Sequence, residues 1–397
     1  MRADPRPEPG TSYTPSPWPG RPPHSLSVSR RMTHQYIGAG MGWSDEINAA
    51  DEYFHKRSDD PYWSENSLLG FTVPERNLCG FIYFYFRPNM NLVVAGPAIW
   101  DHTGEDVYNC KYYGWDQHLA IPEGAEMFDF ELSNSLTCKM IEPQREYRFG
   151  YDRHGVKIDL TWTAVAEPHY MKLSKTGEED PGIANWVSKD GEYSVGHYEQ
   201  AGRFRGTVEV EGEVLDIDCG ALRDRGWGPR HADIKDPLRA GWPYVFASAE
   251  SGWHLYDPQT TLSFDEDPIE GTTETVTTGF YIRDGIKARV VEGTRRAERG
   301  RDGRVLTQVI DCVDELGREL HAVGQSMNWL KWPVNSDIMN WWSLVKWEYD
   351  GQVVYGEDQD FMNFRHYRKY WKRLLEMDPG LMHCFPPSPD YPPYGNP

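Results

Sequence analysis

The residues best suited to chemistry in this 397-residue chain are grouped in the run Arg223-Asp224-Arg225-Gly226-Trp227-Gly228-Pro229-Arg230. The run places one carboxylate among three guanidinium groups and next to an indole. Two glycines free its backbone and a proline restricts it. Strand ends with special backbone residues and mixed charges are frequent sites of binding and catalysis. A structural salt-bridge corner that closes a barrel explains the run equally well, and the residues alone leave both interpretations open.

The chemistry available to Asp224 depends on its burial. An exposed aspartate between Arg223 and Arg225 is an ordinary ion-paired carboxylate and no acid catalyst. If the side chain faces an apolar cavity instead, the loss of hydration favours a proton that can be donated to a weakly basic substrate. The neighbouring Trp227 either packs in the core or supplies a π-face that stabilises a cation.

Aromatic residues crowd several other predicted strand ends, and cavity lining and core packing explain them equally well. The segments are Gly241-Trp242-Pro243-Tyr244, Gly252-Trp253-His254-Leu255-Tyr256 and Trp341-Trp342. A separate acidic strand end, Glu357-Asp358-Gln359-Asp360, is predicted to form a structural ion pair with Arg223 or Arg230. The candidate substrate-binding residues are Glu131, Trp242, Tyr244, His254, Trp341 and Trp342.

Two short segments contain the residue types that bind metals. His197-Tyr198-Glu199 and His231-Ala232-Asp233 each place two such side chains on one face of a strand. A cupin-like centre needs more converging histidines, so we interpret both segments as solvated or ion-paired side chains. No phosphate loop, dinucleotide fingerprint or G-x-S-x-G elbow occurs in the sequence. The sequence therefore predicts neither a metal nor a cofactor.

The elements that must position these residues are strands. From Phe128 to Met140 the even positions are apolar, except for Asn134, and the odd positions are polar, which predicts a strand with one buried face. Tight hairpin turns are predicted where a residue tolerant of positive φ precedes glycine. These turns are His154-Gly155, Asp190-Gly191, Glu211-Gly212, Asp284-Gly285, Asp302-Gly303 and Asp350-Gly351. The pattern predicts an all-β chain of antiparallel meanders, built as barrels or sandwiches.

Helices are predicted to be few and short. One is expected at 45–56 with Ser44 as its cap, and a second at 366–377 with Tyr367, Tyr370, Trp371 and Leu374 on one face. Residues 1–31 form a Pro-rich extension that we expect to be disordered, and 378–397 form a Pro-rich tail. A polar, turn-rich seam divides the body into β domains at 32–185 and 186–377, whose interface is a usual place for a small-molecule site.

Composition excludes several classes of function. The formal charge of −20 and the pI near 5.1 oppose binding to nucleic acids and adhesion to anionic membranes. No apolar run approaches the ~20 residues of a membrane helix, so stable membrane insertion is not expected. The six cysteines include no C-x-x-C pair, which is typical of reduced thiols in a cytoplasmic protein.

Beyond these patterns, the chain resembles a known family. Four segments resemble the lipocalin-like (calycin) proteins related to carotenoid 1,2-hydratase, also called hydroxyneurosporene synthase, and in particular their uncharacterised bacterial branch. These segments are His197-Tyr198-Glu199-Gln200, the hairpin at Glu211-Gly212, the run from Arg223 to Arg230 and the later Tyr355-Gly356-Glu357-Asp358-Gln359. The resemblance extends from Gly70 to Asn363. It implies two calycin-like β-barrel domains packed together, with a site between or within them.

The resemblance also implies roles for residues. Members of the family hydrate isolated isoprenoid double bonds without a cofactor, and other proteins of similar fold are pericyclic cyclases or have no known activity. By this resemblance Asp224 is the proton donor, Arg230 its electrostatic partner and Trp227 the wall of the pocket. Gly226 departs from the family pattern, because relatives have serine or a similar polar residue there, and the departure removes a hydroxyl that would position water.

Together these observations favour a cofactor-independent hydratase, dehydratase or isomerase that protonates a hydrophobic isoprenoid or polycyclic substrate by general-acid catalysis. Two alternatives remain open at the level of sequence. One is a non-catalytic protein that binds lipids or isoprenoids in an aromatic cavity. The other is a pericyclic cyclase that acts by shape alone and does not need the Asp224 carboxyl group. In each case the partner is a hydrophobic small molecule.

Overall fold

The computed structural model describes residues 49–170, 196–230, 239–259, 272–276, 278–300, 302–335 and 338–377. Two large antiparallel sheets account for most of them, which confirms the predicted all-β class. The first sheet has twelve strands: β1 (Trp63–Val73), β2 (Leu78–Arg87), β3 (Leu92–Asp101), β4 (Tyr112–Tyr113), β5 (Asp116–Ala120), β6 (Asp129–Glu131), β7 (Thr137–Glu142), β8 (Glu146–Arg153), β9 (Val156–Ala164), β10 (His169–Tyr170), β11 (Gly196–Val210) and β12 (Glu213–Pro229).

The second sheet closes on itself. Eight of its eleven strands pair in chain order, and β23 returns to β14, which gives the up-and-down barrel typical of lipocalins. Its strands are β13 (Arg239–Gly241), β14 (Tyr244–Phe246), β15 (Ser251–Gln259), β16 (Thr272–Thr275), β17 (Thr278–Arg283), β18 (Ile286–Arg299), β19 (Val305–Asp314), β20 (Glu319–Ser326), β21 (Leu330–Pro333), β22 (Ile338–Tyr349) and β23 (Gln352–Asn363).

The boundary between the sheets lies later in the chain than the predicted boundary between domains. We expected β11 and β12 to open the second domain at residue 186, but β11 pairs with β9, and β12 pairs with β1. Both strands therefore complete the first sheet, and the change to the second occurs between Pro229 and Arg239. The two sheets lie in one compact unit of the chain.

The predicted hairpin turns are present wherever the structure describes them. His154-Gly155, Glu211-Gly212, Asp284-Gly285 and Asp350-Gly351 each have two successive positive φ angles, between 49° and 79°, as two-residue hairpins require. At Asp302-Gly303 only the glycine has a positive φ, of 90°, and the connection from Arg299 to Val305 is longer than a two-residue turn. Asp190-Gly191 lies outside the described residues.

The segment from Phe128 to Met140 is a hairpin and not the single strand that its alternation predicted. Strands β6 and β7 pair with each other, and the chain reverses between them at Ser135, whose φ is 69°. Asn134, the one break in the apolar pattern, is buried and donates hydrogen bonds to the Ala95 carbonyl and to Asp116. The alternation predicted burial correctly, because both arms face the same core, but it did not reveal the turn.

The helices are as few as predicted. The helix α1 (Phe364–Met377) covers the predicted 366–377, and Tyr367 and Tyr370 are buried against Met339 and Trp341 of β22. The helix expected at 45–56 is reduced, within the described residues, to one 3₁₀ turn at Ala49–Glu52. Short 3₁₀ turns also occupy Pro74–Arg76 and Pro88–Met90. No helix of the described residues is both long and apolar enough to span a lipid bilayer.

Several buried apolar clusters hold the described strands together, and three of them are the largest. The first sheet curves around an apolar core formed by side chains of β1–β3, β6–β9, β11 and β12. A second core fills part of the barrel, and it contains Trp253 and Trp347. A third joins the two sheets, where Phe81 of β2 stacks on Trp342 of β22 with ring centroids 5.1 Å apart. The five cysteines in the described part of the chain are free thiols.

The acidic strand end on β23 has different partners from those predicted. Asp358 and Asp360 face into the barrel, where both accept hydrogen bonds from Arg295, and Asp360 also accepts from Arg299. All four side chains are almost completely buried. The ion pairing of these two aspartates is structural, as expected, but its partners are Arg295 and Arg299 of β18 and, for Asp360, also Arg239 of β13. Arg223 instead pairs with Glu52.

Candidate active site

A cavity lies between the two sheets and encloses about 130 Å³. That volume is close to the ~150 Å³ of an engineered apolar cavity that holds one benzene ring. Strands β1, β2, β11 and β12 supply one wall, and β15, β21, β22 and β23 supply the other. The apolar and aromatic lining residues are Leu68, Tyr83, Tyr85, Leu222, Trp242, Tyr256, Trp332, Val334, Ile338 and Phe361, and the polar ones are Ser64, Asn66, Arg87, His197, Asp224, Arg230, Asn335 and Gln359, with Gly70 between them.

The register of the Glu211-Gly212 hairpin brings two carboxyl groups together on this wall. Asp224 of β12 lies directly opposite Glu199 of β11, and His197 lies opposite Gly226. Directly opposed residues of an antiparallel pair project from the same face of the sheet. Asp224 and His197 line the cavity, and Glu199 lies beneath them with no exposed surface.

Glu199 is held in its neutral form. Burial raises its pKa well above the ordinary range, and the neighbouring Asp224 carboxylate, within hydrogen-bonding reach, raises it further. Trp242 Nε1 donates to Glu199 Oε1 over 3.1 Å and opposes part of that rise. Among the described residues no N–H or O–H group donates to Glu199 Oε2, as expected for the oxygen that bears the proton. The neutral Glu199 carboxyl group therefore lies within hydrogen-bonding reach of Asp224.

Two further groups complete the polar end of the cavity. His197 Nε2 lies 2.8 Å from Glu199 Oε1 and 3.4 Å from Asp224 Oδ2. Burial lowers the pKa of His197, and the nearby Arg230 and Arg225 add to that effect, so the imidazole is neutral near pH 7. Arg230 is half-buried beside Asp224 and stabilises its negative charge.

The same side chains have the atoms that a divalent cation binds. His197, Glu199 and Asp224 each offer one ligand atom, and within the described part of the chain these atoms lie within 4.8 Å of one another. The charges nearby disfavour a metal, because Arg230 already supplies a positive charge to Asp224 and, with Arg225, opposes further positive charge on His197.

The arginines that flank Asp224 point to the other face of β12 and are structural. Arg223 has no exposed surface, and it donates to Glu52 over 2.8 and 3.2 Å and to Gln200 over 2.6 Å. Arg225 is equally buried and donates to Glu65 over 2.6 Å. Side chains alternate across the strand, so Arg223 and Arg225 have a structural role, while Asp224 faces the cavity and stays the candidate for chemistry.

Trp227 lies on the structural face with these arginines. Its ring stacks on His55 at a centroid distance of 4.1 Å, and Arg225 lies 5.1 Å from its centroid. The family resemblance implied that Trp227 forms the wall of the pocket, but Trp227 is not among the residues that line the cavity. The indole that faces the carboxyl pair belongs to Trp242, on the loop between β13 and β14.

The other predicted substrate-binding residues occupy four different places, and of the set only Trp242 lines the cavity. Tyr244 and Trp342 donate hydrogen bonds to the buried Glu357 below Gly70. His254 lies behind Trp242 with ring centroids 5.7 Å apart, and Trp341 packs in the cluster beneath α1. Glu131 is exposed on β6 of the first sheet, outside the cavity lining.

Sequence reasoning missed several residues of the site. Glu199 was considered as a metal ligand and interpreted as a solvated or ion-paired side chain, and Tyr83, Trp332 and Phe361 were not singled out as cavity residues. A signal for Glu199 was present, since it precedes Glu211 by the same twelve positions by which Asp224 follows Gly212. Two-residue hairpins pair residues at equal distances from the turn. No comparable local signal joins the aromatic residues, which come from strands of both sheets.

Comparison with solved structures finds similar chains of low sequence identity. A protein described as an AttH candidate from Nitrosomonas europaea has 14% identity and a TM-score of 0.47, over 81% of this chain and 98% of that one. Kievitone hydratase from Nectria haematococca has 13% identity and a TM-score of 0.44, over 81% and 94%. CghA, crystallised with Sch210972, has 12% and 0.39, over 76% and 88%. Similarities this weak assign no activity to the present chain.

A search of curated proteins finds no match. A family profile does match, and it spans residues 48–357, which include both sheets up to β23 and every residue of the carboxyl pair. The chain therefore belongs to the family described as domain of unknown function DUF7064.

Proposed function

We propose that this protein is a general-acid catalyst that adds water to, or removes it from, a hydrophobic alkene or tertiary alcohol of isoprenoid or polycyclic type, without a cofactor. The observation that supports this most is the buried Glu199 carboxyl group within hydrogen-bonding reach of Asp224, which lines an aromatic cavity. A carboxylic acid kept neutral by burial is suited to protonate a weak base. We assign Glu199 as the source of the proton, because it is the more buried of the two, and Asp224 as the group that delivers it, because Asp224 lines the cavity.

The proposed hydration proceeds in two steps. The Glu199 proton passes through Asp224, which lines the cavity, to the less substituted alkene carbon. The π electrons form the new C–H bond, and the other carbon becomes a tertiary cation. Water then forms the C–O bond to that cation while Asp224 accepts a water proton. The proton returns from Asp224 to Glu199 across their hydrogen bond, which restores the pair. Dehydration follows the same steps in reverse.

The aromatic lining would stabilise the cation. Trp242, Tyr256, Trp332 and Phe361 surround the cavity, and a cation over an aromatic face gains about 0.5–2 kcal/mol. Each ~1.4 kcal/mol of such stabilisation in the transition state raises the rate about tenfold, so several aromatic faces together would accelerate the reaction. The Asp224 carboxylate adds electrostatic stabilisation close to the reacting carbon.

The test is turnover in D₂O with a panel of isoprenoid alkenes and tertiary alcohols, analysed by mass spectrometry and NMR. We expect a hydrated product with one deuterium bound to carbon. Glu199→Gln and Asp224→Asn should each lower the rate at least a hundredfold. Their matched controls, Glu209→Gln and Asp216→Asn, lie on the same two strands outside the cavity lining and should keep the wild-type rate.

The same experiment separates the alternatives. A protein that only binds the substrate exchanges no carbon-bound proton in any variant. A cyclase acting by shape alone converts a polyene without incorporating deuterium, and Asp224→Asn stays active. Either outcome, with all variants folded by circular dichroism, refutes the proposed chemistry.

A further inference from the structure

Four polar side chains line the cavity side by side on two neighbouring strands. Tyr85 and Arg87 belong to β2, and Ser64 and Asn66 belong to β1. Tyr85 lies opposite Asn66 in the ladder between these strands, and the other two residues extend that ladder by two positions. Alternate residues of a strand share one face of a sheet, so the four side chains form one continuous patch. We call these four residues the β1–β2 rim.

Two members of the rim are buried polar residues without a protein partner. Ser64 is 2% exposed and Asn66 is 7% exposed. Within the described part of the chain, neither the Ser64 hydroxyl nor the Asn66 amide forms a hydrogen bond, and both residues line the cavity. Buried polar groups are nearly always hydrogen-bonded, because an unsatisfied one has lost its hydration for nothing in return. A polar group of a ligand in the cavity would satisfy both side chains.

Arg87 offers one edge of its guanidinium group to the same ligand. Its Nη1 donates to the Tyr62 carbonyl over 3.0 Å, and the Arg230 carbonyl accepts from Nη1 and Nη2 over 3.3 Å each. Among the described residues, no carbonyl or carboxylate group accepts from Nε–H or from the second N–H of Nη2. These two donors lie on one edge of the planar group, which is the geometry that binds both oxygens of a carboxylate.

The positive charge of Arg87 is held in place but not neutralised. Its Cζ lies 5.6 Å from the ring centroid of Tyr62 and 5.4 Å from that of Tyr85, and no carboxylate of the described residues is within ion-pair distance. The charged side chains that line the cavity are Arg87, Arg230 and Asp224, two positive and one negative, on a chain whose formal charge is −20. Since Arg230 stabilises the charge of Asp224, the remaining positive charge belongs to the rim.

The rim and the reacting groups lie at different levels of the same wall. Asp224 is opposite Leu68 of β1, two residues after Asn66 and four after Ser64. At ~3.3 Å per residue, the rim therefore extends from about 7 Å to about 13 Å from the level of Asp224. A ligand that reaches both levels keeps its own negative charge away from the Asp224 carboxylate, so the repulsion between them is small.

We infer that the β1–β2 rim binds the carboxylate group of an amphipathic substrate, whose apolar body fills the aromatic part of the cavity. Arg87 would bind both oxygens along its open edge, and Ser64 and Asn66 would donate hydrogen bonds to them. A phosphate carries close to two negative charges at pH 7 and exceeds the one positive charge available, so a carboxylate matches the rim better. The inference deepens the proposed function by naming its substrates as acids, and it rests on that function only for turnover, because binding an acid needs no proton transfer.

The test compares 4-isopropylbenzoate with its neutral isostere 4-isopropylbenzamide by calorimetry at pH 7. In the wild type we expect the acid to bind about tenfold tighter, the effect of one good charge-assisted contact. Arg87→Gln removes the cation and should bring the two Kd values to within about a factor of two, while the amide binds as in the wild type and so reports an intact cavity. Arg87→Lys keeps the charge without the planar edge and should retain a preference of about threefold.

Arg76→Gln is the matched control, because Arg76 is an exposed arginine that pairs with Glu213 outside the cavity lining, and it should keep the wild-type preference. The inference is overturned if the wild type binds the acid no tighter than the amide, or does not bind it. It is also overturned if the preference survives Arg87→Gln, or falls equally in Arg76→Gln.

Glu199→Gln separates this result from the proposed function, because it should abolish turnover and leave the preference for the acid unchanged. A preserved preference with no turnover in any protein refutes the hydratase chemistry and keeps the rim as a carboxylate site. Turnover of neutral alkenes by a wild type that shows no preference for the acid refutes the rim and keeps the hydratase chemistry.

Discussion

Glu357 provides a quantitative test of how the two sheets are joined. Its side chain has no exposed surface and accepts hydrogen bonds at Oε2 from Tyr244 and, over 3.1 Å, from Trp342 Nε1. Strand β1 can approach this closely because Gly70 has no Cβ atom, and a Cβ atom there would collide with that oxygen. Burial raises the pKa of Glu357 to about 8, against the two hydrogen bonds, which lower it. The carboxyl group is therefore mostly neutral at pH 7.

The raised pKa of Glu357 makes stability depend on pH with a definite sign. The unfolded chain releases this proton near pH 4.5, and the folded chain holds it up to about pH 8. Stability from the neutral form is fully present below 4.5 and is lost as the pH rises through the folded value. Each pH unit within this window costs about 1.4 kcal/mol, so about 2.5 kcal/mol is lost between pH 5.5 and 7.5.

The assay is urea unfolding of the wild type and Glu357→Gln at several pH values in that window. Glutamine keeps the shape and cannot ionise, so the difference in unfolding free energy, wild type minus variant, should fall by about 2.5 kcal/mol. All other titrating groups cancel in this difference. Glu348→Gln, an exposed position on β22, is the matched control. Parallel profiles for the wild type and Glu357→Gln would refute the buried neutral acid.

Three further changes have expected outcomes. Arg295→Met leaves its buried carboxylate partners without their cation and should lower the free energy of unfolding by about 3–5 kcal/mol in urea titrations. Glu52→Gln removes the carboxylate partner of Arg223 on the structural face, and we expect a similar loss in the same assay while the folded variant keeps the circular dichroism of the wild type. Trp242→Phe removes the donor that lowers the pKa of Glu199, so the alkaline fall in turnover should move to higher pH in a pH–rate profile.

Much of the fold follows from local sequence signals. Period-two alternation and residue–glycine turns predicted the strands and hairpins, because both act over a few residues. The same signals contain the core of the site, since the Glu211-Gly212 turn sets the register that places Glu199 opposite Asp224. Alternation also decides that Arg223 faces Glu52 while Asp224 faces the cavity.

The parts that sequence reasoning missed depend on contacts distant along the chain. Glu52 reaches Arg223 from 171 positions away, and nothing local to either residue indicates the other. Asp358 of β23 meets Arg295 of β18 inside the barrel, although the two strands are not neighbours in the sheet. The alternation along one strand predicts which side chains point inward but not which strand they face. The predicted domain boundary differs from the boundary between the sheets for the same reason, since β1 pairs with β12, which lies far from it along the chain.

The protonation state of Glu199 tests the central claim most directly. Infrared difference spectroscopy of the wild type against Glu199→Gln at pH 7 isolates this carboxyl group, because Glu357 and other neutral acids are common to both proteins. We expect a protonated-carboxyl C=O band from Glu199 in the wild type that is absent from the variant and disappears as the pH rises. A wild-type spectrum at pH 7 with only the carboxylate bands of an ionised Glu199 would contradict it.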